Sequence, residues 1–153
     1  MNKKSLSIII ILNLFILTGF SQDLPGLRVN GRFLYDKCGE KIILRGISNP
    51  NICFEKNGGI RYTEIEKTGA NVIRIVWDIN GSSFDLEQAI ENCVALNMIP
   101  MIELHDATGD WSKLQNCVDY WCQSDIANII QTWEEFLLVN IANEAGDGNV
   151  SKT

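Results

Sequence analysis

The residues best placed for chemistry in this chain are a neighbouring amide and carboxylic acid, Asn143 and Glu144, which directly follow the apolar run at residues 136–142. A polar pair at the exit of so apolar a segment is more typical of a functional site than of a solvated loop. His105 follows a second apolar run, and Trp77 ends a third. Groups of these types bind sugars, whereas phosphate and metal sites need other sets of ligands.

A basic side chain lies inside one of these runs. Arg74 is flanked by Ile73 and Ile75, and a charge within an apolar strand requires a buried partner. Because side chains alternate between the two faces of a sheet, we expect the Arg74 guanidinium to lie near Glu103 or Glu144, or to be hydrated through an open side of the sheet.

The aromatic residues and the histidine have competing interpretations. Trp77, at a strand end, is the better candidate for stacking on a sugar ring. Trp111, Trp121 and Trp133 fall at helical spacing, which favours packing. A lone histidine such as His105 is often a hydrogen-bonded core residue, so the residues around it decide its role.

The segments that position these residues alternate between strand and helix patterns. Continuous apolar runs predict strands at residues 42–46, 71–77, 98–104 and 136–142, as in a parallel sheet covered on both faces. Apolar residues at helical spacing predict helices over 86–94, 114–121 and 126–133. Asp85 and Gln88 resemble a capping box at the first helix, and Gly69 is expected to end an earlier one.

This order of elements favours a barrel. Neither a G-x-G-x-x-G segment after the first strand nor a G-x-x-x-x-G-K segment occurs, which disfavours nucleotide-binding α/β folds. The sequence therefore predicts an α/β protein with a (β/α)8 barrel, of which residues 22–153 would be the N-terminal half, ending after the fourth strand. Asn30 and Gly31 predict a hairpin ahead of the barrel that would cover its floor, with a second turn at residues 36–39.

The N-terminus carries a targeting pattern. Lys3 and Lys4 precede an apolar run from Leu6 to Leu17, which predicts a signal peptide over residues 1–21, cleaved near Ser21. The run is too short to cross a bilayer, which needs about 20 apolar residues. We therefore expect a secreted or periplasmic protein that is not held in the membrane.

Charge and composition exclude several partners. The formal charge of −6 would become −8 on loss of Lys3 and Lys4, and the sequence has no basic patch, which disfavours nucleic acid and anionic membranes. One histidine and no C-x-x-C leave too few ligands for a metal site, and no cofactor is expected. Five cysteines are an odd number, so their pairing stays open, but Cys93 and Cys117 fit buried apolar positions.

The strand ends also carry a resemblance to a known family. The segment LVNIANE at residues 138–144 places an Asn-Glu pair after the fourth strand, and here the sequence resembles glycoside hydrolase family 5, whose members are retaining glycosidases. IELHDATG at residues 102–109 is similar to the third-strand motif of the bacterial endo-β-1,4-mannanases in that family. LRGIS at 44–48 and NVIRIV at 71–76 are similar to its first two strands.

The resemblance implies a role for each site residue. Glu144 would be the general acid/base, and Asn143 would bind the sugar 2-hydroxyl. Arg74 would brace the nucleophilic carboxylate, and His105 would contact the substrate or the carboxylate network. A retaining glycosidase needs that second carboxylate about 5 Å from the first. In the family it follows the seventh strand, and no residue of this sequence matches it.

The implied function is a secreted retaining glycosidase that hydrolyses a β-1,4-linked polysaccharide, with β-mannan as the expected substrate. Two alternatives stay open. One is an endo-β-1,4-glucanase of the same family, acting on β-glucan, and the other is a non-catalytic, carbohydrate-binding half-barrel. Because no residue matches the nucleophile, we expect the 153-residue chain alone to be inactive.

Overall fold

A computed structural model of the chain describes residues 26–146, so the expected signal peptide at 1–21 lies outside the described residues. A three-stranded antiparallel sheet precedes a four-stranded parallel sheet with helices between its strands. The strands are β1 (Arg28–Asn30), β2 (Phe33–Tyr35), β3 (Lys41–Ile42), β4 (Gly46–Asn49), β5 (Val72–Trp77), β6 (Ile99–Leu104) and β7 (Leu138–Asn140). The α-helices are α1 (Gly59–Glu66), α2 (Ser83–Ala95), α3 (Leu114–Trp121) and α4 (Ser124–Trp133). Short 3₁₀ turns, Asn51–Cys53 and Trp111–Lys113, precede α1 and α3.

The predicted hairpin is confirmed, with its turn one residue later than expected. β1 and β2 pair in the register Asn30 with Phe33, so the turn residues are Gly31 and Arg32. Gly31 has a φ of 61°, in the left-handed region that glycine adopts without strain. The Leu27 amide donates to the Glu135 carbonyl, 3.2 Å away, which attaches the start of the hairpin near the beginning of β7.

The first parallel strand is not where the sequence predicted it. Ile42 pairs with Leu34 as part of the antiparallel sheet, and the parallel strand begins only at Gly46. Between them the Asn71 side chain donates to the Ile43 carbonyl at 2.9 Å and accepts from the Arg45 amide at 2.7 Å. A continuous apolar run cannot reveal such a break, because both sheets accept the same residue types.

The parallel sheet has the order β4-β5-β6-β7, which is also the order along the chain. The predicted strands at 71–77 and 98–104 are confirmed to within one residue, and β7 is shorter than predicted. A parallel sheet with helices between consecutive strands is compatible with part of a (β/α) barrel.

One face of the parallel sheet packs against the helices. Residues that alternate along β5 and β6 are fully buried there, and the core continues into α2, α3 and α4. We call this the helix-covered face and the opposite side the inner face. The strand residues with 0% exposure on the helix-covered face are Ile73, Ile75, Trp77, Ile102 and Leu104.

Helix α2 starts earlier than the sequence predicted. Its N-cap is Ser82, whose hydroxyl accepts a hydrogen bond from the Asp85 amide at 3.1 Å and donates to the Asp85 carboxylate at 2.7 Å. Asp85 therefore occupies position N3, three residues after the N-cap, and is not the first residue of the cap. Helix α1 ends at Glu66 with Lys67 as its C-cap, so Gly69, the predicted cap, lies two residues after the observed one, with a φ of 77°. The helices predicted at 114–121 and 126–133 match α3 and most of α4, and Cys93 and Cys117 are buried as expected.

The outer strands of the parallel sheet leave apolar side chains exposed. Ile47 on β4 is 43% exposed, and Val139 and Ile141 on the other edge are 42% and 57% exposed. Within residues 26–146, no helix is both long enough and apolar enough to span a bilayer.

Candidate active site

The candidate site is built on the inner face of the parallel sheet. Alternation along β5 places Arg74 on the opposite side from Ile73 and Ile75, and the register pairs Arg74 with Ser48 and Met101. On β6 the same alternation turns Glu103 inward. Polar side chains from adjacent strands therefore meet on one face.

Glu103 is the centre of this group. Its carboxylate is 0% exposed and accepts hydrogen bonds from Arg74 Nε and from Asn140 Nδ2, the latter at 3.0 Å. His105 Nδ1 lies 3.2 Å from Glu103 Oε1. A buried carboxylate is tolerated when a cation and hydrogen-bond donors surround it, and Glu103 has both.

Arg74 connects Glu103 to the other strands, and its predicted orientation is confirmed. Besides the ion pair with Glu103, Arg74 Nη2 donates to Asn143 Oδ1 at 2.6 Å and Nη1 donates to Ser48 Oγ at 3.3 Å. The guanidinium thus spans from β4 to the segment after β7 and fixes the position of Asn143.

The segment after β7 is held by the loop after β6. The backbone N–H of Asn143 donates to the Leu104 carbonyl at 2.8 Å, and its side-chain Nδ2 donates to Thr108 Oγ1 at 2.9 Å. The Gly109 amide donates to the Glu144 carbonyl at 3.2 Å. Two loops at the carboxyl ends of adjacent strands therefore form one hydrogen-bonded unit.

Glu144 has an unusual backbone conformation. Its φ is 36°, in the left-handed region, and it is one of two non-glycine residues with positive φ among those the structure describes. Its side chain is exposed. Strained backbone of this kind, which costs about 1–3 kcal/mol, concentrates at functional sites.

His105 lies beside the network, and Trp77 does not. The His105 side chain is 40% exposed on the same side as Glu103. Trp77 is 0% exposed, donates from Nε1 to Tyr120 Oη on α3 at 2.9 Å, and packs against the backbone of Gly81. Trp77 belongs to the helix-covered face, and the expected stacking of this indole on a sugar is incompatible with that burial.

The sequence interpretation missed three participants in the network. Asn140, Thr108 and Ser48 each bind one of the predicted site residues. Asn140 could have been recognised from the sequence, because it is a polar residue within an apolar strand. Thr108 and Ser48 could not, because small polar residues near strand ends are common.

Asp110 and Tyr120 have pKa values shifted from their ordinary values. Hydrogen bonding by the Ser112 hydroxyl holds the pKa of Asp110 below its usual value. Burial raises the pKa of Tyr120 to about 12 on the helix-covered face. Among residues 26–146, no group of three or more His, Cys, Asp or Glu side chains could hold a metal ion.

Comparison with known proteins supports a mannanase-like relationship. No protein-family model matches the chain. It is 34% identical over 126 residues to a mannan endo-1,4-beta-mannosidase of Salipaludibacillus agaradhaerens, covering 78% of this chain and 40% of that protein. It is 30% identical over 139 residues to the enzyme of the same description from Cellvibrio japonicus, covering 84% and 32%. A third, from Streptomyces lividans, is 27% identical over 129 residues, covering 78% and 33%. The chain thus spans 32–40% of the length of these curated relatives.

Proposed function

We propose that this chain is part of a secreted retaining glycoside hydrolase of family 5 that cleaves β-1,4-mannan, with Glu144 as the general acid/base. The observation that carries the proposal is the placement of Asn143 and Glu144. They lie three and four residues after the end of the parallel strand β7, and Arg74 fixes Asn143 from the inner face. The similarity to three mannan endo-1,4-beta-mannosidases supports the substrate class.

The fold that we propose for the complete enzyme is a (β/α)8 barrel. Its support is the parallel strand order, with helices between consecutive strands and the candidate site at the carboxyl ends. Active sites of such barrels lie at that end of the strands. The inner face described here would then line the barrel interior.

The proposed role of Asn143 follows from its hydrogen bonds. Because a guanidinium can only donate, the atom facing Arg74 Nη2 must be the amide oxygen, so the amide nitrogen points the other way. One of its two N–H groups binds Thr108 Oγ1, and the second can donate to a sugar hydroxyl. A bond to the 2-hydroxyl that tightens in the transition state speeds glycoside cleavage.

Glu144 would carry the proton transfers. An exposed carboxyl group at this position would protonate the leaving glycosidic oxygen and then activate the water that releases the product. The reaction also needs a nucleophilic carboxylate about 5 Å away. Glu103 is unsuited to that role because it is buried and paired with Arg74.

Measurements of sugar binding and of glycoside cleavage test the proposed substrate class and the proposed catalytic role of Glu144 separately. We expect the 153-residue chain to bind mannohexaose in calorimetric titration and to release no reducing sugar from mannan. Glu144→Gln should leave binding intact, and Asn143→Ala should weaken it about tenfold through loss of one hydrogen bond.

Other outcomes would change the proposal. Tighter binding of cellohexaose than mannohexaose would favour a β-glucanase. Binding of neither sugar would overturn the glycosidase proposal. Reducing-sugar release that Glu144→Gln abolishes would show that this chain contains its own nucleophile.

Export is a separate part of the proposal, supported by Lys3, Lys4 and the apolar run that follows them. Mass spectrometry of the protein from its native host should give a mature N-terminus close to residue 22. A protein that retains Met1 and stays with the cells would contradict export.

A further inference from the structure

Trp111 differs from the other tryptophans of the chain. Trp77 is 0% exposed, and Trp121 and Trp133 pack against the core. Trp111 is 60% exposed although it is the first residue of a structured turn. A single exposed indole is normally an ordinary surface residue. It suggests a binding role only when it borders a site, so the surroundings of Trp111 must be considered.

The turn that carries Trp111 is held firmly. Asp110 caps it, accepting from the Ser112 amide at 3.1 Å and from the Ser112 hydroxyl at 2.6 Å. The Asp110 amide donates to the Ala107 carbonyl at 3.0 Å, and the Lys113 amide donates to the Asp110 carbonyl at 3.2 Å. The backbone of Trp111 is therefore fixed on both sides, and little entropy is lost when a ligand contacts its side chain.

This turn adjoins the loop that carries Glu144. A Cβ at Gly146 would lie 3.5 Å from Trp111 Cε3, so the indole flanks Gly146, two residues after Glu144. Thr108 and Ala145 form a bridge between the same two loops. Trp111 is thus an exposed aromatic surface next to the candidate acid/base.

We propose that Trp111 forms a sugar-binding subsite adjoining Glu144, in which the indole stacks on a pyranose ring of the β-1,4-linked chain. A pyranose presents C–H groups on its ring faces and hydroxyls at its edge, so a flat apolar surface binds the face and leaves the edge hydrated. The ligand is uncharged, which suits a surface whose neighbouring ionic groups, Asp110 and Lys113, already pair with each other at 3.6 Å.

This inference rests on the proposed function and deepens it, because the subsite extends the same substrate away from the cleavage point. A subsite adds affinity only when a sugar unit reaches it. Trp111 should therefore matter for long oligosaccharides and not for the shortest one that binds.

The test measures how affinity grows with oligosaccharide length. Calorimetric titrations would use mannobiose, mannotetraose and mannohexaose with the 153-residue chain and its Trp111→Ala, Trp111→Phe and Phe84→Ala variants. Phe84 is the matched control, an aromatic side chain that is 67% exposed on α2. Urea unfolding should give nearly the same midpoint for the unchanged chain and all three variants, since the Trp111 and Phe84 side chains are both exposed.

We expect Trp111→Ala to raise the Kd for the longer oligosaccharides about tenfold and to remove the gain in affinity with length. Trp111→Phe should retain part of that gain, and Phe84→Ala should retain all of it. Equal Kd values for the unchanged chain and Trp111→Ala at every length would overturn the subsite.

The outcomes distinguish the subsite from the proposed function. Binding that depends on Asn143 and not on Trp111 would overturn the subsite alone. Absence of any binding by the unchanged chain would overturn both. Trp111-dependent binding of cello-oligosaccharides in preference to manno-oligosaccharides would keep the subsite and replace mannan with glucan.

Discussion

The two faces of the parallel sheet use the same strands for opposite purposes. Along β5, Ile73, Ile75 and Trp77 are fully buried against the helices, whereas Arg74 between them holds a polar network on the inner face. On β6, Ile102 and Leu104 face the helices and Glu103 faces inward. A single strand can therefore supply core packing and site geometry at the same time, because its side chains alternate.

The comparison teaches that burial has a different basis on each face. On the helix-covered face, residues are buried because apolar area leaves water. On the inner face, Glu103 is equally buried, and its stability depends on Arg74, Asn140 and His105 as partners. Substitutions on the two faces should therefore have different signatures.

The largest effect should come from shortening a side chain on the helix-covered face. Ile102→Ala should lower the free energy of unfolding by about 4 kcal/mol, because it leaves a cavity in a fully buried position. Ile141→Ala is the matched control, since Ile141 is 57% exposed, and it should cost less than about 1 kcal/mol. Urea unfolding followed by circular dichroism measures both. Similar losses for the two variants would contradict the assignment of the core to this face.

On the inner face, the effect should depend on the partner that remains. Glu103→Ala should lower the free energy of unfolding by about 3 kcal/mol, because Arg74 keeps its charge without a carboxylate partner. Arg74→Met combined with Glu103→Leu should recover much of that loss, since no unpaired charge remains. Urea unfolding of the single and double variants tests this. Additive losses would show that the two residues act independently.

The helix-covered face should also respond to alkaline pH. Burial raises the pKa of Tyr120 to about 12, from an ordinary value of 10.0. The unfolded chain releases this proton near pH 10, and the folded chain holds it to about pH 12, so the stabilisation is complete below pH 10 and is lost as pH rises to 12. We expect a loss of about 2 kcal/mol over that window.

Tyr120→Phe provides the control for the alkaline loss. The variant should be less stable at neutral pH, because Trp77 Nε1 loses its acceptor, but its stability should fall less steeply above pH 10. Burial also raises the pKa of Cys93, to about 12, so some dependence should remain. An unchanged slope in unfolding experiments from pH 9 to 12 would rule out Tyr120 as a contributor.

The smallest effect concerns His105, the single histidine of the chain. A carboxylate can only accept, so Glu103 should hold the neutral imidazole with its proton on Nδ1, leaving Nε2 as an acceptor. Long-range ¹H–¹⁵N NMR spectra measure the tautomer ratio, and the signals are assigned at once because His105 is the single histidine. Glu103→Gln should lower the Nδ1–H fraction with little change in fold, because its amide can accept or donate. The same ratio in both proteins would show that Glu103 does not orient the ring.

Much of the division between the helix-covered face and the inner face could be predicted from particular residues. The apolar runs predicted β5 and β6 closely because their length and β-branched content suit covered parallel strands. Arg74 was expected to meet Glu103 or Glu144, because a charged residue within an apolar strand requires a partner, and Glu103 is the carboxylate that pairs with it.

Three other features were not predicted: the break between β3 and β4, the burial of Trp77 and the position of Trp111. The break between β3 and β4 depends on the Asn71 side chain, which is distant in sequence. The burial of Trp77 could have been inferred by counting from Arg74, because three residues along a strand change the face. Trp111 was expected to pack within a helix, and only the contact between two loops places it beside Gly146.

The order of the parallel strands also bears on how the chain acquires its structure. Paired residues of adjacent strands are 26 positions apart for Gly46 and Val72, 27 for Val72 and Ile99, and 37 for Met101 and Leu138. Closing loops of such similar lengths loses similar amounts of chain entropy, so no strand must wait for a distant partner. During synthesis, which proceeds from the N-terminus, each strand of the parallel sheet finds its partner already made, and the sheet can grow at one edge. The network around Glu103 is then completed when β7 is added, because β7 and the residues after it bring Asn140 and Asn143 to side chains already in place.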